Sequence, residues 1–361
     1  MERSNRIYVG TRKGLFRLCS HDGRRTWMLE PPSLGGWSIN HAIEDPRDPS
    51  RIYAAAKSEH WGPMVARSED GGCTWNERGP SPAFAPDQGQ SVEAVWYVRP
   101  GHAERPGEVW AGVDPGSLFR SRDWGASWEP VNSLNQHETR EYWMPGGGGL
   151  CLHKVDLHPT NPDSLIVTIS AAGSFRTDDG GASWKPINRG VRADFLPDSV
   201  KEAGVGQCVH HLVRSPVDPE WLFQQNHCGM YRSADGGASW QECGEGLPSE
   251  FGFPAAIHPR DPKTVYLAPL MGDSFRAFPD GAIAVWRSRD GGDSWEPLRA
   301  GLPQHGAYTS ALRAAMATDS EDQAGIYLGT ATGQLFFSAN EGENWELIAD
   351  FLPPILSVET A

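Results

Sequence analysis

The chain repeats one eight-residue motif seven times, and this repetition restricts its possible folds more than any other feature. The consensus is Ser/Thr-x-Asp-x-Gly-x-Ser/Thr-Trp, with copies at 20–27, 68–75, 121–128, 177–184, 233–240, 288–295 and 338–345. Successive closing tryptophans lie 48, 53, 56, 56, 55 and 50 residues apart. A period of this length with a turn signature predicts a propeller or another array of β-units.

The residues of the motif are those of a turn between two strands. The Asp carboxylate can accept hydrogen bonds from backbone N–H groups, the Gly allows a positive φ, and the Trp buries a large ring where the next strand begins. Arg24 replaces the Gly in the first copy, and Asn340 replaces the Asp in the last. Because seven copies around a ring would need seven active sites, we expect the motif to serve folding rather than catalysis.

Short apolar and β-branched runs predict the remaining strands. One strand of each repeat is expected at 6–11, 51–56, 108–113, 164–170, 221–225, 264–269 and 325–330. An inner strand is expected upstream at 38–44, 91–98, 150–157, 207–214, 252–257 and 309–316. The first repeat lacks this inner strand, and the spare segment 355–360 is predicted to supply it. The sequence therefore predicts one all-β domain over 1–361, a seven-bladed β-propeller with four antiparallel strands per blade and a ring closed by the C-terminal strand.

The motif copies resemble the Asp-box, or BNR, repeat of sialidases, sortilin-type receptors and photosystem assembly factors. As a whole the chain resembles bacterial BNR-repeat glycosyl hydrolases of the sialidase-like and sortilin-like propellers. This resemblance implies a propeller fold along nearly the whole chain and suggests hydrolysis of glycosidic bonds. Proteins with the same repeat also include receptors and scaffolds, so the fold alone does not fix the function.

Composition excludes several kinds of partner. The net charge is −14 and the isoelectric point about 5.3, without any run of Lys or Arg, so we expect no nucleic acid and no membrane surface as a partner. No apolar stretch reaches 18 residues, and the first five residues show no signal peptide. Six scattered cysteines without a C-x-x-C pair then indicate free thiols and a cytoplasmic location. The oligomeric state stays open.

Histidines and long inserts gather at the end of the predicted blades that lies opposite the motif turns. The inserts at this end are 55–64, 78–91, 131–150, 187–207 and 271–283, and such inserts commonly carry binding sites. Aligning the inner strands makes Asn40, His153 and His210 equivalent, and it makes His41 equivalent to His211. Equivalent inner-strand positions face one axis, so we expect these side chains to meet at the mouth of a central channel.

A polar channel mouth of this kind favours a hydrolase that acts on a small polar or acidic sugar without a cofactor or metal. Glycoside hydrolysis usually needs two carboxyl groups, and histidines can assist proton transfer. The candidate catalytic residues are Glu93, Glu141, His153, His210 and His227. The candidate substrate-binding residues offer hydrogen bonds, stacking faces or a guanidinium for a carboxylate: His41, His60, Trp61, Trp143, His211, Gln225, Asn226, Arg276 and Arg313.

Two other functions stay open. A non-catalytic binding or assembly scaffold would use the same end of the blades for a protein partner, and it predicts an exposed apolar patch there. A metal-dependent lyase or hydrolase would hold its ion with His153, His210 and His227, since neutral imidazole is a common ligand.

Overall fold

The computed structural model of the protein describes residues 5–76, 78–197 and 204–361. Residues 198–203 of the insert predicted at 187–207 lie outside the described residues, as do residues 1–4, on which the signal-peptide prediction partly rests. The described chain forms seven antiparallel β-sheets, the blades of a seven-bladed β-propeller. The predicted fold class is confirmed.

The first three sheets take their strands from the first 130 residues, apart from one strand at the end of the chain. The first sheet contains β1 (Asn5–Thr11), β2 (Gly14–Ser20) and β3 (Met28–Leu29). The second contains β4 (Ser38–Asp45), β5 (Asp48–Ser58) and β6 (Gly62–Ser68). The third contains β7 (Ala94–Pro100), β8 (Val109–Asp114), β9 (Ser117–Ser121) and β10 (Glu129–Pro130).

The remaining sheets follow in chain order. The fourth contains β11 (Leu152–Leu157), β12 (Leu165–Ile169), β13 (Gly173–Thr177) and β14 (Lys185–Pro186). The fifth contains β15 (Val209–Arg214), β16 (Leu222–Asn226), β17 (Gly229–Ser233) and β18 (Gln241–Glu242). The sixth contains β19 (Gly252–Ile257), β20 (Val265–Pro269), β21 (Val285–Ser288) and β22 (Glu296–Leu298). The seventh contains β23 (Met316–Thr318), β24 (Ile326–Gly329), β25 (Leu335–Ser338) and β26 (Glu346–Ala349), and the last strand is β27 (Ile355–Thr360).

Helices are few and short in the described residues. They are the α-helix α1 (Asn132–Asn135) and 3₁₀ turns at Pro86–Gln88, Arg140–Tyr142 and Pro279–Gly281. Among the described residues, no helix has the length and apolar character needed to cross a membrane.

The C-terminal strand completes the first blade. β27 pairs antiparallel with β1, with Val9 opposite Val358, and it takes the place of the missing inner strand. Ile355 and Val358 are fully buried and pack in the same core cluster as Ile7. The predicted ring closure by the end of the chain is therefore confirmed.

Residue contacts divide the described chain into two compact units. The first unit comprises 5–33, 190–192 and 210–361, and the second comprises 34–76, 78–189, 193–197 and 204–209. Within each unit the core consists of apolar side chains from neighbouring sheets, such as Tyr266 with Leu328 in the first and Tyr53 with Val98 in the second. The single domain over 1–361 stays a prediction.

The motif turns have the hydrogen bonds expected from their sequence. In the second copy, Asp70 accepts from the Thr74 hydroxyl at 2.6 Å and from the Thr74 N–H at 2.8 Å, and the Ser68 hydroxyl also donates to it at 2.8 Å. These bonds, the Thr74 hydroxyl foremost, lower the pKa of Asp70 to about 2. Arg24 adopts φ 66° where the other copies have Gly, and Asn340 accepts the same backbone bond at 3.0 Å. The carboxylate of the motif thus stabilises a turn.

Two predicted strands differ from the structure. The inner strand expected at 309–316 is only the short β23, which begins at Met316, so Arg313 precedes the strand instead of entering it. Ala314 still forms an isolated parallel bridge to Ser357. The second sheet has three strands, and an isolated bridge between Arg67 and Asn76 stands where its fourth would begin.

Candidate functional site

Within every sheet, the antiparallel order places the loop between the second and third strands at the end opposite the motif turn. The loop that leads into the inner strand reaches the same end. Most of the candidate site residues lie on these loops or at the adjoining strand ends. We call this end of a blade its insert end and describe it separately for each unit.

Irregularities in the inner strands explain the equivalent polar positions. Register shifts bracket Asn40 in β4 and His153 in β11, and such bulges redirect a side chain. The equivalence of Asn40, His153 and His210 is confirmed, because each side chain donates to a backbone carbonyl of the following inner strand. The distances are 2.8 Å from Asn40 to Val95, 2.9 Å from His153 to Val209 and 2.6 Å from His210 to Gly252. One side-chain nitrogen of each residue therefore links two neighbouring inner strands.

Four other candidates are buried in packing roles. His41 is fully buried and stacks on Tyr97 with ring centroids 3.9 Å apart, and His211 is 4% exposed. The expectation that Trp143 offers a face to a sugar is wrong, because its ring is 4% exposed and packs in the hydrophobic core. Gln225 donates through its amide to the backbone carbonyls of Asn226, Gly229 and Glu250.

The remaining candidates differ in exposure. His60 and Trp61 are exposed in the turn between β5 and β6, where the Arg78 guanidinium lies 4.6 Å from the Trp61 ring centroid. Asn226 is 1% exposed at the end of β16. Trp61 is thus the one predicted stacking residue whose ring is available at the surface.

In the first unit, four predicted residues gather around the neighbouring rings of Phe251 and Phe253. His210 lies 4.6 Å from the Phe253 ring centroid and 5.7 Å from that of His227. The guanidinium groups of Arg276 and Arg313 lie 5.3 and 5.0 Å from the Phe253 centroid. The structure thus brings three of these side chains onto Phe253, while His227 contacts His210 and Phe251.

One of these arginines already holds a carboxylate. Arg276 forms an ion pair with Asp273 at 2.5 Å, and this hydrogen bond lowers the pKa of Asp273. The pair is half exposed, so solvent screens it. A clamp for an acidic sugar at Arg276 and Arg313 stays a prediction, as does a metal held by the histidines.

In the second unit, two carboxyl groups lie at the insert end of the third blade. Asp114 ends β8 and stands opposite Ala94 in the ladder with β7, and its carbonyl accepts the Glu93 N–H at 2.8 Å. Glu93 is exposed and accepts a 2.7 Å bond from the Ser91 hydroxyl. Asp114 is half-buried, and this burial raises its pKa, with a further rise from the charge of Glu93 that Lys57 and Trp96 partly oppose.

The glycine run at 146–149 brings the backbone against the Asp114 carboxyl group. A Cβ added at Gly149, where φ is 88°, would lie 2.9 Å from Asp114 Oδ2. The backbone of this run therefore lies close to a carboxyl group of the chain itself. Glu141 lies in the 3₁₀ turn just before the run and is exposed.

Sequence reasoning missed Asp114. Its signal is an Asp-Pro-Gly turn at the end of a second strand, whereas other Asp-Pro pairs of the chain, such as Asp218-Pro219 and Asp261-Pro262, lie in turns between first and second strands. What distinguishes Asp114 is its burial beside Glu93, which depends on the pairing of β7 with β8.

Each unit also contains a cavity. A cavity of about 290 Å³ lies in the second unit between the inserts 78–91 and 131–150, and its lining includes Ser117 and Arg140. A cavity of about 350 Å³ in the first unit lies at the opposite end of its blades. The acidic groups of this larger cavity already have partners, since Asp319 pairs with Arg24 and Glu321 accepts from Asn5.

Comparisons with known proteins give partial matches. The chain is 25% identical over 182 residues to the xyloglucanase Xgh74A of Acetivibrio thermocellus, a match that covers 45% of this chain and 19% of that protein. It spans about a fifth of the length of the curated relatives that it matches. No family model matches the chain.

Solved structures show similar folds. An ancestral GH74 enzyme superposes with a TM-score of 0.62 at 16% identity, covering 86% of this chain and 38% of that one. The BP39L lectin of Burkholderia pseudomallei superposes with a TM-score of 0.57 at 15% identity, covering 96% of each chain. At these identities the likeness concerns the fold alone.

Proposed function

We propose that the protein is a glycoside hydrolase whose two reacting carboxyl groups are Asp114 and Glu93. The observation that carries the proposal is the pairing of a half-buried carboxyl with an exposed carboxylate on adjacent strand ends of the third blade. Glycosidases need one carboxyl that keeps its proton near neutral pH and a second that is ionised. Burial and the charge of Glu93 move the pKa of Asp114 in the direction required of the acid.

In this mechanism the Asp114 carboxyl donates its proton to the glycosidic oxygen as the bond from that oxygen to the anomeric carbon breaks. Glu93 either bonds to the anomeric carbon, or removes a proton from the water that attacks it. In the first route water then displaces Glu93 from the anomeric carbon, leaving its hydroxyl there and giving a proton back to Asp114. In the second route the proton taken up by Glu93 returns to Asp114 through solvent. The anomeric configuration of the first product separates the routes, since a bond to Glu93 retains it and direct attack by water inverts it.

The substrate in this proposal is a polysaccharide rather than the small sugar expected from sequence. The sequence similarity to Xgh74A, a xyloglucanase, supports this choice. His153 and His210 enter the proposal as packing residues, because each donates to a backbone carbonyl.

The test compares Asp114→Asn and Glu93→Gln with the parent on xyloglucan and on aryl glycosides. We expect each variant to lose roughly 10²–10⁴-fold in kcat, the usual contribution of a positioned acid or base. The bell-shaped pH profile should lose its alkaline limb in Asp114→Asn, because that limb reports deprotonation of the acid. Glu245→Gln is the matched control, since Glu245 is exposed in the first unit and lies in neither carboxyl pair nor cavity.

Three outcomes contradict the proposal. Parental hydrolysis in both variants would remove the two carboxyls from the mechanism. If Glu141→Gln loses activity and Glu93→Gln keeps it, the role proposed for Glu93 belongs to Glu141. Absence of hydrolysis by the parent on every glycoside tested would favour the scaffold hypothesis.

A further inference from the structure

The cavity of about 290 Å³ in the second unit is lined partly by residues that are close in sequence to the proposed catalytic Asp114. Ser117, which lines it, stands three residues after Asp114 and begins β9. Arg140, another lining residue, donates to the carbonyl of Gly116 in the same short turn. The wall of the cavity is thus tied to the turn that follows the proposed acid.

Two lining side chains are fixed by the fold and form a rigid wall. The Asn135 amide accepts from the Leu118 N–H at 2.8 Å and donates to the Leu118 carbonyl at 3.0 Å. The Arg140 guanidinium lies 4.7 Å from the ring centroid of buried Trp143. Because these groups are already bonded, they shape the cavity without having to reorganise around a ligand.

Four further side-chain amides of the lining differ from these two groups. They are exposed and have no hydrogen-bond partner among the described residues. They are Gln88, Gln90, Asn132 and Gln136. Each amide offers both a donor and an acceptor, which is the combination that a sugar hydroxyl can use in either direction. Phe84, half-buried against Phe119 at 5.4 Å, adds an aromatic ring to the lining.

The charge of the lining restricts the ligand. Among the described residues that line the cavity, none is acidic and Arg140 alone is basic, with its guanidinium engaged by Gly116 and Trp143. The cavity is at the small end of the usual range for ligand sites, large enough for about one or two sugar rings. We propose that it binds an uncharged, hydroxyl-rich glycosyl unit of the saccharide chain, a substrate class that rests on the proposed glycosidase function.

The experiment measures binding by calorimetry on the full chain carrying Asp114→Asn, so that binding is not followed by cleavage. The probes are three neutral tetrasaccharides (cellotetraose, mannotetraose and xylotetraose) and the acidic tetragalacturonate. We expect at least one neutral probe to bind, and tetragalacturonate to bind at least tenfold more weakly. The double variant Gln90→Ala/Gln136→Ala should weaken neutral binding by about tenfold, as loss of two hydrogen bonds predicts.

Gln323→Ala is the matched control, because Gln323 is an exposed amide outside both cavities, and its affinity should equal that of the parent. Asn132→Ala provides an independent second variant with a smaller expected loss. The inference is overturned when no neutral probe binds, when both amide variants keep the parental Kd, or when tetragalacturonate binds more tightly. Failure of the glycosidase proposal is read separately, from hydrolysis by the protein without Asp114→Asn.

Discussion

Replacing Asp235 in the fifth motif copy separates the folding role of the motif from a catalytic role. Asp235 accepts three hydrogen bonds: from the Ser233 hydroxyl at 2.7 Å, the Ser239 N–H at 2.9 Å and the Ser239 hydroxyl at 2.6 Å. The Ser233 hydroxyl in turn accepts from the Gly237 N–H at 2.9 Å. Asp235→Ala removes all three acceptor contacts and leaves the turn without its central anchor.

The size of the effect follows from exposure. A protein hydrogen bond contributes about 0.5–1.5 kcal/mol net, and exposed positions lie at the low end because water replaces the lost partner. Asp235 is exposed, so we expect Asp235→Ala to lower the free energy of unfolding by about 1–2 kcal/mol. The loss should appear in stability and leave turnover per folded molecule unchanged.

Asp235→Asn is the matched control, and the chain supplies its precedent. In the seventh copy, Asn340 accepts from the Ser338 hydroxyl at 2.9 Å and from the Asn344 N–H at 3.0 Å. An Asn at 235 should therefore keep two of the three bonds, and about 1 kcal/mol or less should be lost.

Urea unfolding followed by the fluorescence of the 15 tryptophans measures both variants. A shift of the midpoint at constant m reports stability alone. The folding role is refuted when Asp235→Ala unfolds like the parent yet loses hydrolysis, or when Asp235→Asn is as damaging as Asp235→Ala.

Two further predictions concern the same architecture. Deleting 355–361 removes the inner strand of the first blade and the buried Ile355 and Val358, so we expect aggregation or a large fall in melting temperature, and a truncated chain that melts like the parent would contradict ring closure. Hydrogen bonds, first from the Thr74 hydroxyl to Asp70 and from the Ser183 hydroxyl to Asp179, lower these carboxyl pKa values to about 2 from 3.8, so their stabilisation is present above pH 3.8 and is lost as the pH falls toward 2. Unfolding midpoints that do not change between pH 4 and 2 would contradict this.

The fold could be predicted because its signals are local and repeated. Each motif carries its own turn hydrogen bonds, and its period counts the blades without any tertiary information. The prediction failed at 309–316, where apolar and small residues suggest a strand but pairing with β24 begins only at Met316. Ala314 pairs with Ser357 instead, a contact that depends on the first blade.

The sequence predicted where the candidate residues lie in the blades but not what their side chains contact. Aligning inner strands correctly made Asn40, His153 and His210 equivalent, since a shared period fixes equivalent places. It did not show that these side chains donate to the neighbouring inner strand, because a bulge and a carbonyl acceptor are properties of packing. The histidines at the insert end are therefore explained at least in part by hydrogen bonds between neighbouring inner strands.

Asp114 shows what a catalytic assignment requires beyond the sequence. Glu93 was a sequence candidate because it lies in the predicted inner strand 91–98, yet an exposed carboxylate alone offers no reason for a raised pKa. The pairing of β7 with β8 supplies that reason, because it holds a second carboxyl half-buried beside the charge of Glu93. An acid and a base or nucleophile can be assigned to two neighbouring carboxyl groups only when their environments differ. That assignment therefore depends on Asp114 and Glu93 together.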